Sequence, residues 1–373
     1  MARRDRTKGG RRTKAERRQA RAGSKRRARR SVAEASTVFG GSVDGDTVKS
    51  VERALRLRRH NVLPVHEPLA LICQAQRSGG TLLVRLFDGH PQCHAHPHEL
   101  LIGYPQPHTW PELPLDEEPH VWFAKLKESY LSKLFTKGRR KIPLKAPGEK
   151  TKDSYPFILP PAFQRLLFLE EVARRSPIES EREVLDCYMT SLFNAWLDNQ
   201  NLRGAEKRWV VAFSPRRSWG EGLKRFFQLY PDGRLISILR GPLSWFASAQ
   251  GRDPDADTGV LIEQWKRSAR EMLEGKRRYE ERACIVRFDE LVRDTPETMR
   301  VLADFLGIDF DPQLAVPTFN GYPVGANSSY ATSDTGVVMD PVERYKEVLS
   351  TEQQELVRRE CEGLHQEVLA VAA

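Results

Sequence analysis

The chain has 373 residues, enough to bury a substantial core, and 39% of them are hydrophobic. No segment approaches the 18 consecutive apolar residues of a membrane helix, and the amino terminus lacks the apolar stretch of a secretory signal, so we expect a cytoplasmic protein. The five cysteines are odd in number and form no C-x-x-C pair, which argues against a disulfide framework and against a zinc site.

The formal net charge of +10 is concentrated at the amino terminus. Residues 1–30 hold fifteen Lys and Arg and two acidic residues, whereas residues 31–373 carry a net charge of −3. Because this basic tail has almost no large apolar residues, we predict that residues 1–36 are disordered and that residues 37–373 form the folded domain. The tail is open to three interpretations: a weak contact with anionic lipid or nucleic acid, an inert solubilising extension, or a misplaced start codon.

The first element that suggests chemistry is an apolar segment, residues 69–73, followed by R-S-G-G-T and a helical pattern. It predicts a buried parallel strand, a glycine-rich turn and a helix start. Backbone N–H groups at a helix start have no intrahelical partner, so they can bind an anion that Gly79 and Gly80 allow to approach closely. Unlike a Walker A loop, this one has no lysine before Thr81, and its nearest cation, Arg77, precedes the glycines. The alternative interpretation is a turn with an incidental arginine.

A helix-rich insertion, residues 104–205, is predicted to follow. Residues 120–135 carry apolar side chains at helical spacing and predict one helix. Residues 181–199 predict another, with Ser180 and Glu183 forming a capping box at its start. The aromatic residues of the insertion favour core packing over ligand contacts.

Three further apolar segments predict strands, at residues 209–213, 235–239 and 284–288. Helical patterns follow each of them after a linker or loop. Together with the first strand, they predict an α/β fold with a mainly parallel sheet covered by helices on both faces.

A second anion site is predicted beyond the strand at residues 235–239. Arg240 follows that strand, and Ser248 and Arg252, four residues apart, share one face of the next helix. Ligands of open α/β sheets bind outside the carboxyl ends of the strands. Two such ends with anion-binding groups therefore suggest one ligand with two separated phosphate-like groups. Solvated surface arginines are the alternative interpretation.

The first of these patterns resembles the sulfotransferase superfamily that uses 3′-phosphoadenosine 5′-phosphosulfate (PAPS). R-S-G-G-T-L is similar to the family's R-S-G-T-T-L loop for the 5′-phosphosulfate, with Gly80 in place of a threonine. The D-G-H-P of residues 88–91 resembles the D-A-H-P that follows the loop in the protein-tyrosine branch. By this resemblance the phosphosulfate is held by Arg77, Ser78, Gly79, Gly80, Thr81 and Leu82.

The later motifs extend the same resemblance to residues 69–345. R-x7-S at Arg240 and Ser248 is similar to the family's 3′-phosphate motif, and Arg252 matches a further arginine of the protein-tyrosine branch. The V-R-F-D-E-L-V of residues 286–292 resembles the family's Y-E-D-L-V. Phe288 stands where a tyrosine is usual, so a donor contact through that hydroxyl is lost.

The resemblance implies a P-loop-like sulfotransferase fold and transfer of a sulfuryl group from PAPS, without a metal, to a hydroxyl or amine of a carbohydrate, lipid-linked glycan or small molecule. Lys145, in K-A-P, resembles a lysine that reaches the sulfuryl group and would act beside Arg77; a surface lysine is the alternative. Ser329 and Arg344 are similar to a serine and a lysine that contact phosphate, or they belong to a surface loop and an ordinary helix start. The insertion is expected to shape the acceptor site.

The base that takes the acceptor's proton is expected at His98 or Glu99. Relatives in the protein-tyrosine branch use a glutamate as the base. Counted from the loop arginine, its position corresponds to His98 in this chain, and Glu99 is one residue further. Burial can raise the pKa of a glutamate so that it acts as a base, and a neutral histidine has a pKa near physiological pH. We favour Glu99 because one inserted residue is a small change in a loop. His94, His96 and His98 alternate as on a strand, but no carboxylate or cysteine has ligand spacing, so we expect no metal site.

Two other interpretations are open. A P-loop-type nucleotide-dependent kinase would need a lysine that the loop does not have. A non-catalytic protein that binds an anion or nucleic acid would act through the basic tail.

Overall fold

A computed structural model of the chain describes residues 45–106, 108–140, 154–325, 336–337 and 342–372. The chain divides into two compact units, residues 1–61 and 62–373. The described part of the first unit contains helix α1, Gly45–His60, which has an acidic first turn and a basic last turn. The predicted basic tail lies outside the described residues.

The second unit is built around a parallel sheet. The strands of the described ranges are β1 Leu69–Ile72, β2 Cys93–Glu99, β3 Arg139–Arg140, β4 Ser154–Tyr155, β5 Trp209–Phe213, β6 Arg234–Leu239, β7 Ala283–Arg287, β8 Thr318–Phe319 and β9 Tyr322–Pro323. Five of them form the central sheet in the order β2-β5-β1-β6-β7, and every neighbouring pair is parallel. The other four form two small antiparallel pairs, β3 with β4 and β8 with β9.

Twelve helices of the second unit are described. They are α2 Gly80–Phe87, α3 Pro119–Leu126, α4 Ser129–Lys137, α5 Pro161–Arg175, α6 Glu181–Ala195, α7 Glu221–Leu229, α8 Pro242–Gln250, α9 Thr258–Tyr279, α10 Phe288–Arg293, α11 Thr295–Leu306, α12 Tyr345–Val348 and α13 Thr351–Leu369. Of the helices in the described ranges, none has the length and apolarity to cross a lipid bilayer.

Both faces of the central sheet are covered, which explains why its inner strands are continuous apolar runs. Leu71 and Val210 pack into a core shared with the insertion helices, whereas their neighbours Ile72 and Val211 pack into a second core with α2 and α11. The predicted α/β fold with a mainly parallel sheet is confirmed. The four predicted strands all occur, with ends that differ by at most one residue.

The sequence predicts a loop around Glu99, whereas the structure has the edge strand β2 there, of which the alternating histidines are the one sequence signal. Its three histidines and one proline hide the apolar signal of a strand. The proline is tolerated because the strand lies at the edge of the sheet, where β2 pairs only with β5 and its register shifts between Ala95 and Glu99. The base predicted in a loop therefore lies at the carboxyl end of a strand.

The single helix predicted for residues 120–135 is wrong: the structure has two helices, α3 and α4. The break falls at Glu128, whose backbone is extended. Its carboxylate is buried and accepts hydrogen bonds from Leu101 N, at 2.7 Å, and from the Tyr188 hydroxyl, at 3.0 Å. His96 Nε2 lies 3.1 Å from the same carboxylate. These tertiary contacts override the helical periodicity.

The other predicted insertion helix also differs from the structure. It ends at Ala195, four residues before the predicted end. Ser180 Oγ accepts a hydrogen bond from Glu183 N at 3.3 Å, as expected for a capping residue. The Glu183 carboxylate accepts from Glu179 N rather than from Ser180 N, so the capping box is incomplete.

Glu128→Ala should lower the free energy of unfolding by about 3 kcal/mol, because it leaves two buried donors without an acceptor. Glu128→Gln keeps one acceptor oxygen and should cost less. Urea unfolding followed by circular dichroism measures both, with the exposed Glu355→Ala as a control expected within about 0.5 kcal/mol of the parent. A Glu128→Ala protein as stable as the parent would contradict this structural role.

Candidate active site

A cleft of about 640 Å³ lies at the carboxyl ends of the central strands. All five strand ends contribute to it, as expected for ligand binding in an open α/β sheet. Among the residues described, the lining contains one acidic side chain, Glu99, and six arginines: Arg77, Arg85, Arg139, Arg240, Arg252 and Arg344. This excess of positive charge favours a ligand with several negative charges.

The loop between β1 and α2 is shaped by close packing. Arg77 and Gly79 have left-handed backbones, with φ of 72° and 103°. A Cβ on Gly79 would lie 2.6 Å from the Phe288 ring, and a Cβ on Gly80 would lie 2.3 Å from the Phe213 ring. The helical hydrogen bonds begin with Leu83 N to Gly79 O. The N–H groups that precede this bond stand at the cleft, in the position expected for anion binding.

The loop after β6 is joined to the loop after β1. Arg240 is 7% exposed; its Nε donates to Ser244 Oγ at 2.8 Å and its Nη1 donates to the carbonyl of Arg77 at 2.7 Å. The Arg240 guanidinium also lies 4.5 Å from the centre of the Phe288 ring. Arg77 Nε in turn donates to Ser248 Oγ at 3.4 Å. The two predicted anion sites are therefore neighbours in one cleft.

Most of the other predicted donor residues lie at the same cleft. Thr81 and Leu82 line it from α2, Arg252 lines it just after α8, and Arg344 lines it just before α12. Ser78 is buried and does not belong to the lining. The remaining two predicted residues, Lys145 and Ser329, fall outside the described part of the chain.

Glu99 and His98 have different surroundings. Glu99 lines the cleft, and burial raises the pKa of its carboxyl while the charges of Arg216 and Arg77 oppose that rise. The His98 ring stacks on Tyr130 with the ring centres 3.7 Å apart, and it is not part of the cleft lining. Burial, assisted by nearby arginine charges, lowers the pKa of His98 to about 2, so its ring is neutral.

The three alternating histidines of β2 have separate neighbours. The His94 ring lies 4.8 Å from the Phe193 ring, His96 contacts Glu128, and His98 stacks on Tyr130. In the ranges that the structure describes, no group of three or more His, Cys, Asp or Glu side chains could hold a metal ion.

Several lining residues were not identified from the sequence. Ser244 lies four residues before Ser248 on the same face of α8, a spacing that could have revealed it. Arg85 is a single cation in a mostly apolar helix, and this pattern could also have been recognised in the sequence. Tyr130 and Arg139 come from the insertion, where no sequence pattern relates them to the sheet.

The fold and the cleft define an α/β protein with a site for a polyanionic ligand at the ends of parallel strands. A sequence model of the sulfotransferase family matches residues 68–312, more than half of the chain. The chain therefore belongs to the sulfotransferase family, and the predicted membership of the PAPS-dependent superfamily is confirmed. No curated protein matches the chain.

Solved structures of sulfotransferases are similar to this chain at low identity. The sulfotransferase domain from the olefin synthase of Synechococcus PCC 7002 is 17% identical, over 80% of this chain and 97% of that one, with a TM-score of 0.46. Sulfotransferase STF9 from Mycobacterium avium is 19% identical, over 70% and 71%, with a TM-score of 0.36. Mouse sulfotransferase SULT7A1 complexed with PAP is 12% identical, over 86% and 94%, with a TM-score of 0.38.

Gly80→Ala should lower the free energy of unfolding by about 2 kcal/mol, because the new Cβ would overlap the Phe213 ring and the Gln74 amide. Gly363→Ala is the matched control: it lies within helix α13 with no atom within 4 Å of the added Cβ, and it should stabilise the protein by about 0.5–1 kcal/mol. Urea unfolding measures both variants. Equal stability of the Gly80→Ala variant and the parent would rule out the close packing described for the loop.

Proposed function

We propose that this chain transfers a sulfuryl group from PAPS to a hydroxyl or amine of an acceptor, which is a carbohydrate, a lipid-linked glycan or a small molecule. The observation that carries the proposal is the meeting of the glycine-rich helix start, Arg77, Arg240 and Ser248 in one cleft. PAPS carries a phosphosulfate and a separate 3′-phosphate, so its two anionic groups suit these two neighbouring loops. Family membership favours this function over a kinase or a non-catalytic binding protein.

The donor would be held from both loops. The N–H groups at the start of α2 and the Thr81 hydroxyl would hold the phosphosulfate. Arg240, Ser248 and Arg252 would hold the 3′-phosphate, with Arg240 kept in place by Ser244 and by the carbonyl of Arg77. Arg344 lines the cleft and would add a contact to phosphate. The roles of Lys145 and Ser329 stay predictions from the sequence.

The reaction forms a bond from the acceptor oxygen or nitrogen to sulfur and breaks the bond between sulfur and the bridging oxygen of the 5′-phosphate. The donor supplies the sulfuryl group and leaves as adenosine 3′,5′-bisphosphate. Glu99 would take the acceptor's proton, and burial makes its carboxylate a stronger base than an exposed glutamate. Arg77 and the helix start would stabilise the negative charge that builds on the leaving phosphate.

Arg77→Ala and Arg240→Ala should each weaken binding of adenosine 3′,5′-bisphosphate at least tenfold, because each removes a guanidinium from the donor site. Isothermal titration calorimetry measures the affinity, and circular dichroism checks that each variant is folded. Arg165→Ala is the control, since Arg165 is exposed on α5 and does not line the cleft. Parental affinity in both cleft variants would contradict the donor site.

The reaction is tested by incubation with radiolabelled PAPS and a panel of glycans and hydroxylated metabolites, followed by mass spectrometry for an added sulfuryl group. An acceptor found in this way supplies an activity assay. With the acceptor so found, kcat/KM should rise with pH through the pKa of Glu99, because the base acts only when deprotonated. Since burial raises that pKa, the rise should lie above the pH range of an ordinary glutamate.

In this assay Glu99→Gln should reduce turnover by about 10²- to 10⁴-fold, abolish the acidic limb of the pH profile and leave the affinity for adenosine 3′,5′-bisphosphate unchanged. His98→Phe keeps an aromatic ring against Tyr130 and should retain turnover. Full turnover in the Glu99→Gln variant would transfer the role of base to His98 or to water.

A further inference from the structure

A second cluster of positive charge lies in the cleft, built from α2 and β3 rather than from α8. Arg85, on α2, is only 3% exposed, and its Nη2 donates to the carbonyl of Pro97 at 2.7 Å. Its Nε is buried and has no hydrogen-bond partner among the described residues. Arg139, on β3, lines the same cleft, together with Tyr130. The donor site proposed above assigns none of these three residues to the two anionic groups of the donor.

Within the described residues, the charges of this arginine pair are balanced only in part, because the charge of Asp88 favours the charged form of Arg85. Within the ranges that the structure describes, neither Arg85 nor Arg139 forms an ion pair with a carboxylate. Asp88, which follows α2, accepts hydrogen bonds from the Thr318 hydroxyl and from Gly321 N. Burial, and then the charge of Arg139, lower the pKa of Arg85 to about 9. Holding two such cations together costs free energy that a bound anion would offset.

The aromatic neighbours of the pair add no charge. The His98 ring, stacked on Tyr130, is neutral because burial and both arginines lower its pKa. The Phe319 ring lies 4.7 Å from the Arg85 guanidinium and offers a face to the cation. His98 and Phe319 therefore add no charge beside the pair, and next to such groups a charge-assisted hydrogen bond to an anion is stronger than in water.

The position of the pair indicates which ligand it would bind. Arg85 is tied to Pro97, which lies two residues before the proposed base on the same strand. Arg240 and Ser248, which would hold the 3′-phosphate, come from the loop and helix that follow β6. A molecule bound at Arg85 and Arg139 therefore lies on the side of Glu99 that belongs to the insertion, where the acceptor is expected.

We propose that Arg85 and Arg139 bind an oxyanion carried by the acceptor, so that the acceptor is an anionic hydroxyl or amino compound bearing a carboxylate, phosphate or sulfate group. This inference rests on the proposed sulfuryl transfer. The anionic group would fix the acceptor at one end while the attacking group reaches Glu99, and neutral acceptors of the same shape would lose this contact.

Inorganic phosphate is the probe, titrated by calorimetry into the full chain saturated with adenosine 3′,5′-bisphosphate so that the donor site is filled. The parent should bind it, and Arg139→Gln should weaken that binding at least tenfold while leaving the bisphosphate affinity unchanged. Arg139→Lys, which keeps the charge, should restore part of the binding, and the exposed Arg165→Gln should behave as the parent. Acetate, titrated in parallel, distinguishes a preference for a carboxylate from one for a tetrahedral anion.

Three outcomes would overturn the inference. The first is the absence of both phosphate and acetate binding to the bisphosphate-loaded parent, and the second is parental phosphate binding by Arg139→Gln. The third is that Arg139→Gln binds PAPS more weakly than the parent but binds the bisphosphate equally well. The two arginines would then contact the transferred sulfuryl group and not the acceptor. If the bisphosphate itself does not bind, the proposed function fails, whereas phosphate binding that depends on Arg139 would still support the anion site.

Discussion

The hydrogen bond from the Arg240 guanidinium to the carbonyl of Arg77 connects the two loops on which the cleft depends. It is possible because β1 and β6 are adjacent and parallel, so the loops that follow them leave the sheet at the same edge. Arg240 is almost fully buried, and Ser244 and the Phe288 ring fix its direction. A separation of these strands in the sheet would have kept the two loops apart, whatever their sequences.

Concentrated positive charge in a partly buried cleft is costly for the folded protein. Several neutral contacts offset part of this cost: carbonyl oxygens accept from Arg85 and Arg240, and aromatic rings lie beside both guanidinium groups. Such contacts orient a cation without neutralising it. These guanidinium groups can therefore still attract an anionic ligand.

The predictable parts of this protein are those fixed by local chemistry. The buried strands could be recognised because both faces require apolar side chains, and Gly79 and Gly80 because the turn and its packing exclude a Cβ. Strand β2 has only the alternation of its histidines as a sequence signal, since its edge position tolerates a proline and His96 is held by a tertiary contact with Glu128. The break at Glu128 depends on Tyr188, sixty residues further along the chain, a distance at which periodicity carries no information.

The same distinction applies within the cleft. Motif spacing predicted an anion site at Arg240 and Ser248, which both line the cleft, but it left the base ambiguous between two consecutive residues. The pleat separates them: on a strand, neighbouring side chains point to opposite faces, and here Glu99 lines the cleft whereas His98 packs on Tyr130. Arg139 comes from a two-residue strand within the insertion, and only the folded chain places it beside Arg85.

Phe288 shows how one substitution acts on several contacts of the cleft. From the sequence alone, phenylalanine in place of the usual tyrosine means a lost donor contact. In the structure the ring lies so close to Gly79 that no Cβ fits there, and it also faces the Arg240 guanidinium. Both contacts use the ring and not a hydroxyl, so the packing that joins the two loops does not need tyrosine. Recognition of the donor at this point would then depend more heavily on Arg240 and its neighbours on α8.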